Sequence, residues 1–337
     1  MSIFILGEAL GEHEAREGRP FVGAAGYELT RMLGEAGIDR RACYLSNVFN
    51  IRPPGNKVEW FCGPKAEALD GYPMLTKSKY VRADFAPELR RLQAELLAQA
   101  PNLVIALGNT AMWALLGKTA ITKFRGSTAT STHTVTGIKV LPTFHPAAVL
   151  RQWELRPIAV MDLSKASRQA AYPEVRRPEV TIHVPETPEE IIHFQKEFIN
   201  GSETLAVDIE TSGQQITCIG FAPNKRCALV VPIHDYRRKG GSYWETGEHE
   251  KDAWAAIRSI LVNPRPRKIF QNGLYDIAFL WRSYRIGVKG VAEDTMLLHH
   301  ALQPESLKGL GFLGSVYTDH GPWKQERQKS WTIKKDE

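Results

Sequence analysis

Two periodicities alternate along the first half of the chain. Short apolar runs at residues 2–6, 44–49, 102–107 and 138–144 each stop at Gly7, Asn50, Gly108 or His145-Pro146, which predicts buried strands. Segments of helical period lie between them. Residues 24–37 place Leu29, Met32, Leu33 and Ala36 on one face and end at Gly37. Residues 86–100 place Leu89, Leu92 and Leu96 on one stripe, with Pro87 in the first turn. Residues 110–116, which Asn109 is placed to cap, and 160–172 complete the series. Strand–helix alternation of this kind predicts a mostly parallel sheet covered on both faces over residues 1–172.

The pattern then breaks. Residues 173–187 hold Pro173, Pro178 and Pro185 with no long apolar run, and read as a linker. Thr187 and Pro188 then resemble a helix start, cap followed by first turn. Strands are expected at 204–211, 216–222 and 227–233, antiparallel because their connections are short, followed by helices near 250–262 and 275–286 and a short strand at 268–271. Residues 188–337 therefore form an α/β domain of a second type.

Composition fits two domains. The 337 residues exceed one typical domain, and 43% apolar content supplies real cores. A formal charge of +6 leans towards a polyanionic partner. Cys43, Cys62, Cys218 and Cys227 form no C-x-x-C pair, which argues against a disulfide framework or zinc knuckle and suits a reducing compartment. No apolar run reaches membrane-span length, so no membrane association is expected. The opening residues run into Gly7-Glu8 without a basic segment, and read as a first strand instead of a signal peptide.

The chemistry concentrates first at Val207-Asp208-Ile209-Glu210-Thr211. Strand alternation points Asp208 and Glu210 the same way, at the end of a buried run. Adjacent carboxylates repel and resist desolvation, and a hard cation such as Mg²⁺ or Mn²⁺ relieves both. Asn272-Gly273-Leu274-Tyr275-Asp276 follows a short strand and sets Asp276 in the first turn of the next helix. Together with Glu293–His300 and Ser306-Leu307-Lys308-Gly309-Leu310, this ordered set resembles the DnaQ-like (DEDD) 3'-5' exonucleases, as found in phage-type family A DNA polymerases. The resemblance implies a ribonuclease H-like fold and a two-metal site. Asp208, Glu210 and Asp276 would be catalytic metal ligands and Asn272 a substrate contact. Asp294 reads equally as an orienting acid or a helix cap, and His299 and His300 as helix residues. The family's fourth acid, from a Y-x-x-x-D or H-x-x-x-D helix, has no match. Tyr317-Thr318-Asp319 has the wrong spacing, and Asp336 has Thr332 four residues earlier. A truncated exonuclease domain lacking the third motif is expected, completed by a polymerase chain or a missing C-terminal polymerase region.

The first half carries a second set. Gly7-Glu8-Ala9-Leu10-Gly11-Glu12, Gly18–Gly26, Tyr44–Val48 leading into Arg52–Lys57, and Phe144–Arg151 each follow a predicted strand or its loop. Open parallel sheets bind ligands at that edge. In order, these motifs resemble the uracil-DNA glycosylase superfamily, most closely its family 4, over about residues 1–172. Such enzymes flip a base into a pocket. The resemblance implies that Asn47 reads the uracil edge, Phe21 stacks on its face and His145 stabilises charge on the uracil oxygen. Glu8 would assist water or the cationic sugar, and Leu150 and Arg151 would wedge into the duplex. Family 4 also binds an iron–sulfur cluster through four cysteines. Asn50-Ile51 stand where one ligand is implied and Cys62 alone echoes another, so no cluster is expected. The loop 53–75 must then be held otherwise or be mobile.

Charge adds Arg40-Arg41, Arg176-Arg177, Arg237-Arg238-Lys239, Arg265, Arg267-Lys268 and the tail lysines, with Arg237–Gly241 as a candidate phosphate loop. The combined expectation is a phage-like DNA replication or repair protein acting on DNA in a bacterial cytoplasm. Its favoured activity is 3'-5' exonucleolytic proofreading. An active glycosylase, or a DNA-binding accessory with both sites silent, are the alternatives.

Overall fold

The computed structural model describes residues 2–238 and 240–321. Two compact units result, one from Met1–Arg177 with Gly311–Glu337 and the other from Pro178–Leu310. The first unit runs β1 (Ile3–Ala9), α1 (Glu12–Glu17), α2 (Ala24–Glu35), β2 (Cys43–Phe49), β3 (Cys62–Gly63), β4 (Tyr80–Val81), α3 (Ala86–Gln99), β5 (Leu103–Leu107), α4 (Gly108–Leu116), α5 (Ile121–Phe124), β6 (Ala129–Thr130), β7 (Lys139–Thr143), α6 (Pro146–Arg151) and α7 (Leu155–Gln169). Its sheet has the order β2-β1-β5-β7-β6. The first four strands are parallel, and β6 is an antiparallel edge.

Alternate residues of β1 feed two cores. Phe4 and Leu6 pack with Leu92 and Leu96 of α3 and Met112 and Trp113 of α4. Ile3 and Ile5 pack with Leu29 and Leu33 of α2 and Leu163 and Ala166 of α7. Helices on both faces explain why these strands read as continuous apolar runs. One local expectation fails. Asn109 lies inside α4, and its Oδ1 accepts the Ile121 N–H at 2.8 Å, at the start of α5. Gly108, at φ +86°, makes the turn instead, and an added Cβ there would stand 3.2 Å from the His145 Cβ.

The second unit contains β8 (Thr181–His183), α8 (Pro188–Phe194), β9 (Thr204–Ser212), β10 (Gln215–Asn224), β11 (Cys227–Pro232), α9 (Gly247–Val262), β12 (Arg267–Phe270), α10 (Gly273–Tyr284), β13 (Val291–Asp294) and α11 (Thr295–Leu302). The order is β13-β12-β9-β10-β11-β8. β9, β10 and β11 form the expected antiparallel meander, and β12 runs parallel to β9. Leu205, Val207 and Ile209 face a core shared with Phe221, Val231, Ile257 and Ile260. Asp208 and Glu210 therefore face the other way, opposite Gly220 and Cys218. Part of the expected linker is structured: β8 pairs with β11, with Thr181 opposite Cys227. Its flanking prolines disguised this edge strand. Thr187 precedes α8 without a side-chain cap; Glu190 reaches back to the Glu186 N–H at 2.8 Å instead.

The second domain is expected over 188–337, and within that range the residues from Gly311 group with the first unit. Helix α12 (Leu310–Tyr317) from Gly311 onward and the described residues after it, to Gly321, pack with the first unit. The cause is a buried ionic cluster that ends in this segment. Arg125 is paired with Asp162, and Thr143 Oγ1 donates to Asp162 at 2.7 Å. Arg125 also donates to Ser315 Oγ at 3.0 Å and stacks over Phe312. Lys165 Nζ donates to the carbonyls of Ser315 at 3.0 Å and Thr318 at 2.5 Å, and Gln169 donates to Asp319 at 3.0 Å. Cations near the last turn of a helix satisfy carbonyls that have no partner within it. Asp319 is thus engaged in the first unit, while Thr332, Asp336, Lys239 and the tail lysines lie outside the described residues. Among the described residues no helix is long and apolar enough to cross a membrane.

Candidate active sites

The parallel sheet brings the first set of predicted residues to one rim. Gly7, near the end of β1, lies opposite Asn47 of β2, and Leu107 of β5 lies opposite Thr143 of β7, just before Phe144 and His145. Gly7 is required by close approach: an added Cβ would lie 2.3 Å from Asn47 Oδ1 and 2.5 Å from Phe21 Cζ. The Asn47 amide and the Phe21 ring thus converge over one glycine. Phe21 is buried, and its ring centroid lies 6.0 Å from that of His145. Leu150 and Arg151 are exposed at the end of α6, the helix His145 begins.

His145 caps α6, with Nδ1 accepting the Ala147 N–H at 3.1 Å. That bond assigns the proton of the neutral ring to Nε2. Burial, joined by the charge of Arg151 and opposed by Glu14, lowers its pKa to about 4. Glu8 behaves oppositely. Burial raises its carboxyl above the ordinary value, the Thr110 hydroxyl bonded at 2.5 Å lowers it, and the charge of Glu59 raises it again. Burial thus pushes the two groups in opposite senses, His145 down towards a neutral imidazole and the Glu8 carboxyl up from its ordinary value.

Four supporting residues escaped the sequence reading. Arg40, expected only as surface charge, donates to the Phe21 carbonyl at 2.7 Å, the Gly26 carbonyl at 2.9 Å and Thr30 Oγ1 at 2.5 Å. It clamps Phe21 in a left-handed conformation, φ +57°, that a bulky residue rarely adopts. Gly26 is obligatory there, because a Cβ would fall 1.8 Å from the Phe21 oxygen. Glu14 accepts the Gly23 N–H at 3.0 Å and ties the first two loops together. Arg91 of α3 donates to the Asn47 carbonyl at 2.8 Å and fixes the end of β2. Thr110 orients Glu8. Only Arg91, four residues before Glu95, carried a local signal, an i,i+4 pair at 2.7 Å.

The second set is less converged. Asp208 and Glu210 share one face of β9, and Asp276 is buried in the first turn of α10, as expected. Asp276 turns to the backbone, however: its Oδ1 accepts the Ile209 N–H at 3.0 Å. Burial raises its carboxyl, the Ile209 bond lowers it, and the charges of Asp294 and Glu210 raise it. Asp294 resolves as a cap and a clamp. It accepts from Met296 N at 2.9 Å, Asn272 N at 3.0 Å and Gly273 N at 2.8 Å. Burial pushes Asp294 up, yet those N–H groups prevail and its pKa is lowered. Asn272 is exposed, at φ +59°, and serves as the turn into α10. The carboxylates suit Mg²⁺ or Mn²⁺ in kind. Among the described residues, though, no three metal-ligating side chains are placed to hold an ion.

Several of the predicted basic residues have structural roles. Lys268 is buried and bonded to the Asn263 carbonyl. Arg237 pairs with Asp235 at 2.9 Å, and Arg267 with Glu203 at 3.3 Å. Arg237 remains exposed within the candidate phosphate loop.

Comparison with known proteins separates the same two halves. Residues 1–176 match the Uracil DNA glycosylase superfamily, and residues 181–335 match the 3'-5' exonuclease family. A type-4 uracil-DNA glycosylase from Thermotoga maritima is 36% identical over 168 residues, covering 49% of this chain and 75% of that protein. One from Sulfurisphaera tokodaii is 33% identical over 178 residues, covering 51% and 71%. A DNA polymerase of Bacillus phage SP01 is 23% identical over 327 residues, 88% of this chain and 32% of the polymerase, so the chain spans about a third of that relative. With half the chain matched, this protein belongs to the uracil DNA glycosylase superfamily and carries a 3'-5' exonuclease domain in the same polypeptide.

Proposed function

We infer that the first unit hydrolyses the N-glycosidic bond of uracil in DNA, within a chain that serves replication or repair. The carrying observation is the convergence of Phe21, Asn47 and a neutral His145 at one sheet edge, beside Glu8. A flipped base stacks on Phe21 while the Asn47 amide meets its edge. As the N1–C1' bond breaks, negative charge builds on a uracil oxygen, and the Nε2–H of His145 donates to it. Ionised Glu8 favours the cationic sugar and orients water. The water oxygen bonds to C1', its proton passes to solvent, and the uracil anion leaves to be protonated in turn.

This ordering differs from the exonuclease-first expectation, because among the described residues the acids of the second unit are the less assembled set. A 3'-5' exonuclease activity remains the second reading, supported by Asp208 and Glu210 on one face of β9 and by the family match. It would use Mg²⁺ or Mn²⁺, and the polymerase relative favours work beside a DNA polymerase.

The test is uracil release from a single-stranded oligonucleotide by the purified chain in EDTA. Release that His145→Ala reduces at least 100-fold supports the reading, a loss on the scale of one oxyanion donor, about 10²–10³. No release above the His145→Ala background rejects it. Shortening of 3' ends in Mn²⁺, lost in Asp208→Ala, establishes the second reading separately.

A further inference from the structure

Family 4 resemblance implies an iron–sulfur cluster beside the loop that follows β2. The residues there do not fit one. Asn50 and Ile51 occupy an implied ligand position, and Cys62 is the single thiol between β2 and α3. Cys62 lies in β3 opposite Val81 of β4, with its Sγ 3.9 Å from the Val58 carbonyl. One thiol cannot bind a cluster.

The interior of this loop is aromatic instead. Phe61 is fully buried and stacks on Phe49, the last residue of β2, with centroids 4.0 Å apart and planes 14° apart. Phe85, one residue before α3, meets Phe61 edge-on at 4.9 Å and Trp60 at 5.4 Å. Arg82 closes the group. Its guanidinium lies 5.2 Å from the Phe85 ring centre and 6.0 Å from that of Trp60. Its backbone N–H donates to the Phe61 carbonyl at 3.0 Å. The buried Nε has no hydrogen-bond partner among the described residues, and Nη2 donates to the Trp60 carbonyl at 3.4 Å, so ring faces and one long carbonyl bond hold this cation. The far side is tied as well. Trp113 Nε1 donates to the Pro73 carbonyl at 2.8 Å, and Tyr72 OH accepts the Thr134 N–H at 3.0 Å.

We propose that the Phe49–Phe61–Phe85–Trp60 cluster and Arg82 form a latch that takes the structural place of an iron–sulfur cluster in fixing the stretch from Asn50 to Phe85. A metal cluster would hold such a loop by bonds to a few points. Here stacked rings and a two-residue ladder, Cys62–Val81 and Gly63–Tyr80, perform the same closure. The consequence reaches the pocket, because Glu59, next to Trp60, acts on Glu8 through its charge. The inference concerns how the loop is held and stands whether or not uracil is released.

The test uses the full chain and hydrogen exchange of peptides spanning 54–82, with the central strands as internal control. Iron and sulfide are assayed in the same preparation. The latch predicts no stoichiometric iron, and loop exchange unchanged by dithionite and an iron chelator. It predicts roughly tenfold faster loop exchange in Arg82→Met, with the strands unaffected. Phe61→Leu should act in the same direction. If that core variant unfolds the unit as a whole, Arg82→Met, which keeps the side-chain stem, decides alone. Stoichiometric iron whose removal loosens the loop would overturn the proposal, as would Arg82→Met exchange indistinguishable from wild type.

Discussion

Truncating Arg40 tests whether the base-stacking loop is held from behind. Arg40 makes three hydrogen bonds, at 2.7, 2.9 and 2.5 Å, to Phe21 O, Gly26 O and Thr30 Oγ1. Hydrogen bonds to a charged group contribute ~1.5–3 kcal/mol each when fully desolvated. Arg40 is half-buried, so water replaces part of that loss, and about 1–2 kcal/mol of fold stability is expected to go in Arg40→Ala. For a unit of this size that lowers Tm by roughly 2–8 °C. The activity effect is separate. Holding Phe21 at φ +57° opposes a conformational preference of ~1–2 kcal/mol, and that preference moves the ring once the clamp is gone. Stacking of a base on an aromatic ring contributes ~1–3 kcal/mol, so kcat/KM for uracil release should fall about 5- to 150-fold. Arg40→Lys supplies a point charge without the planar fork and should fall between the two. The assay is steady-state uracil release well below the melting temperature of each variant. A Tm drop with kcat/KM within about twofold of wild type would refute the clamp and leave Arg40 as ordinary packing.

Three further outcomes are expected. The acid limb of uracil release should follow Glu8 and lie above the ordinary Glu pKa, since His145 stays neutral down to about pH 4; Thr110→Val removes a bond that favours the carboxylate and should move the limb to higher pH, and a pH profile with an unmoved limb contradicts this. Asp276 has a raised folded pKa, so its favourable contribution is present at low pH and lost as pH rises through that value. Asp276→Asn should therefore melt higher than wild type at pH 7, with the gap closing by about pH 3, while any Mn²⁺-dependent shortening of 3' ends disappears; an equal or lower Tm at pH 7 counts against it. Lys165→Met strips the donor from the Ser315 and Thr318 carbonyls and should cost ~1–3 kcal/mol, read as a lower Tm and faster proteolysis near residue 318; an unchanged cleavage pattern would show that the segment is held without it.

The sequence by itself determined the elements and the chemistry types. Apolar runs ending in glycine, asparagine or His145-Pro146 located β1, β2, β5 and β7, and a parallel sheet must then present Glu8, Asn47 and His145 at one edge. Period-two alternation fixed Asp208 and Glu210 on the side away from Val207 and Ile209. Tertiary structure decided what those groups are and what supports them. The lowered pKa of His145 comes from burial and Arg151, and the clamp on Phe21 comes from an arginine nineteen positions away in sequence. Asp276 was legible as a first-turn acid, but its commitment to the Ile209 N–H depends on how α10 meets β9. The return of α12 to the first unit follows from buried Arg125 and Lys165, whose need for partners no local pattern expresses. Patterns report which face a residue shows. Partnerships between distant charges exist only after the chain has closed on itself, and those partnerships set protonation and loop conformation here.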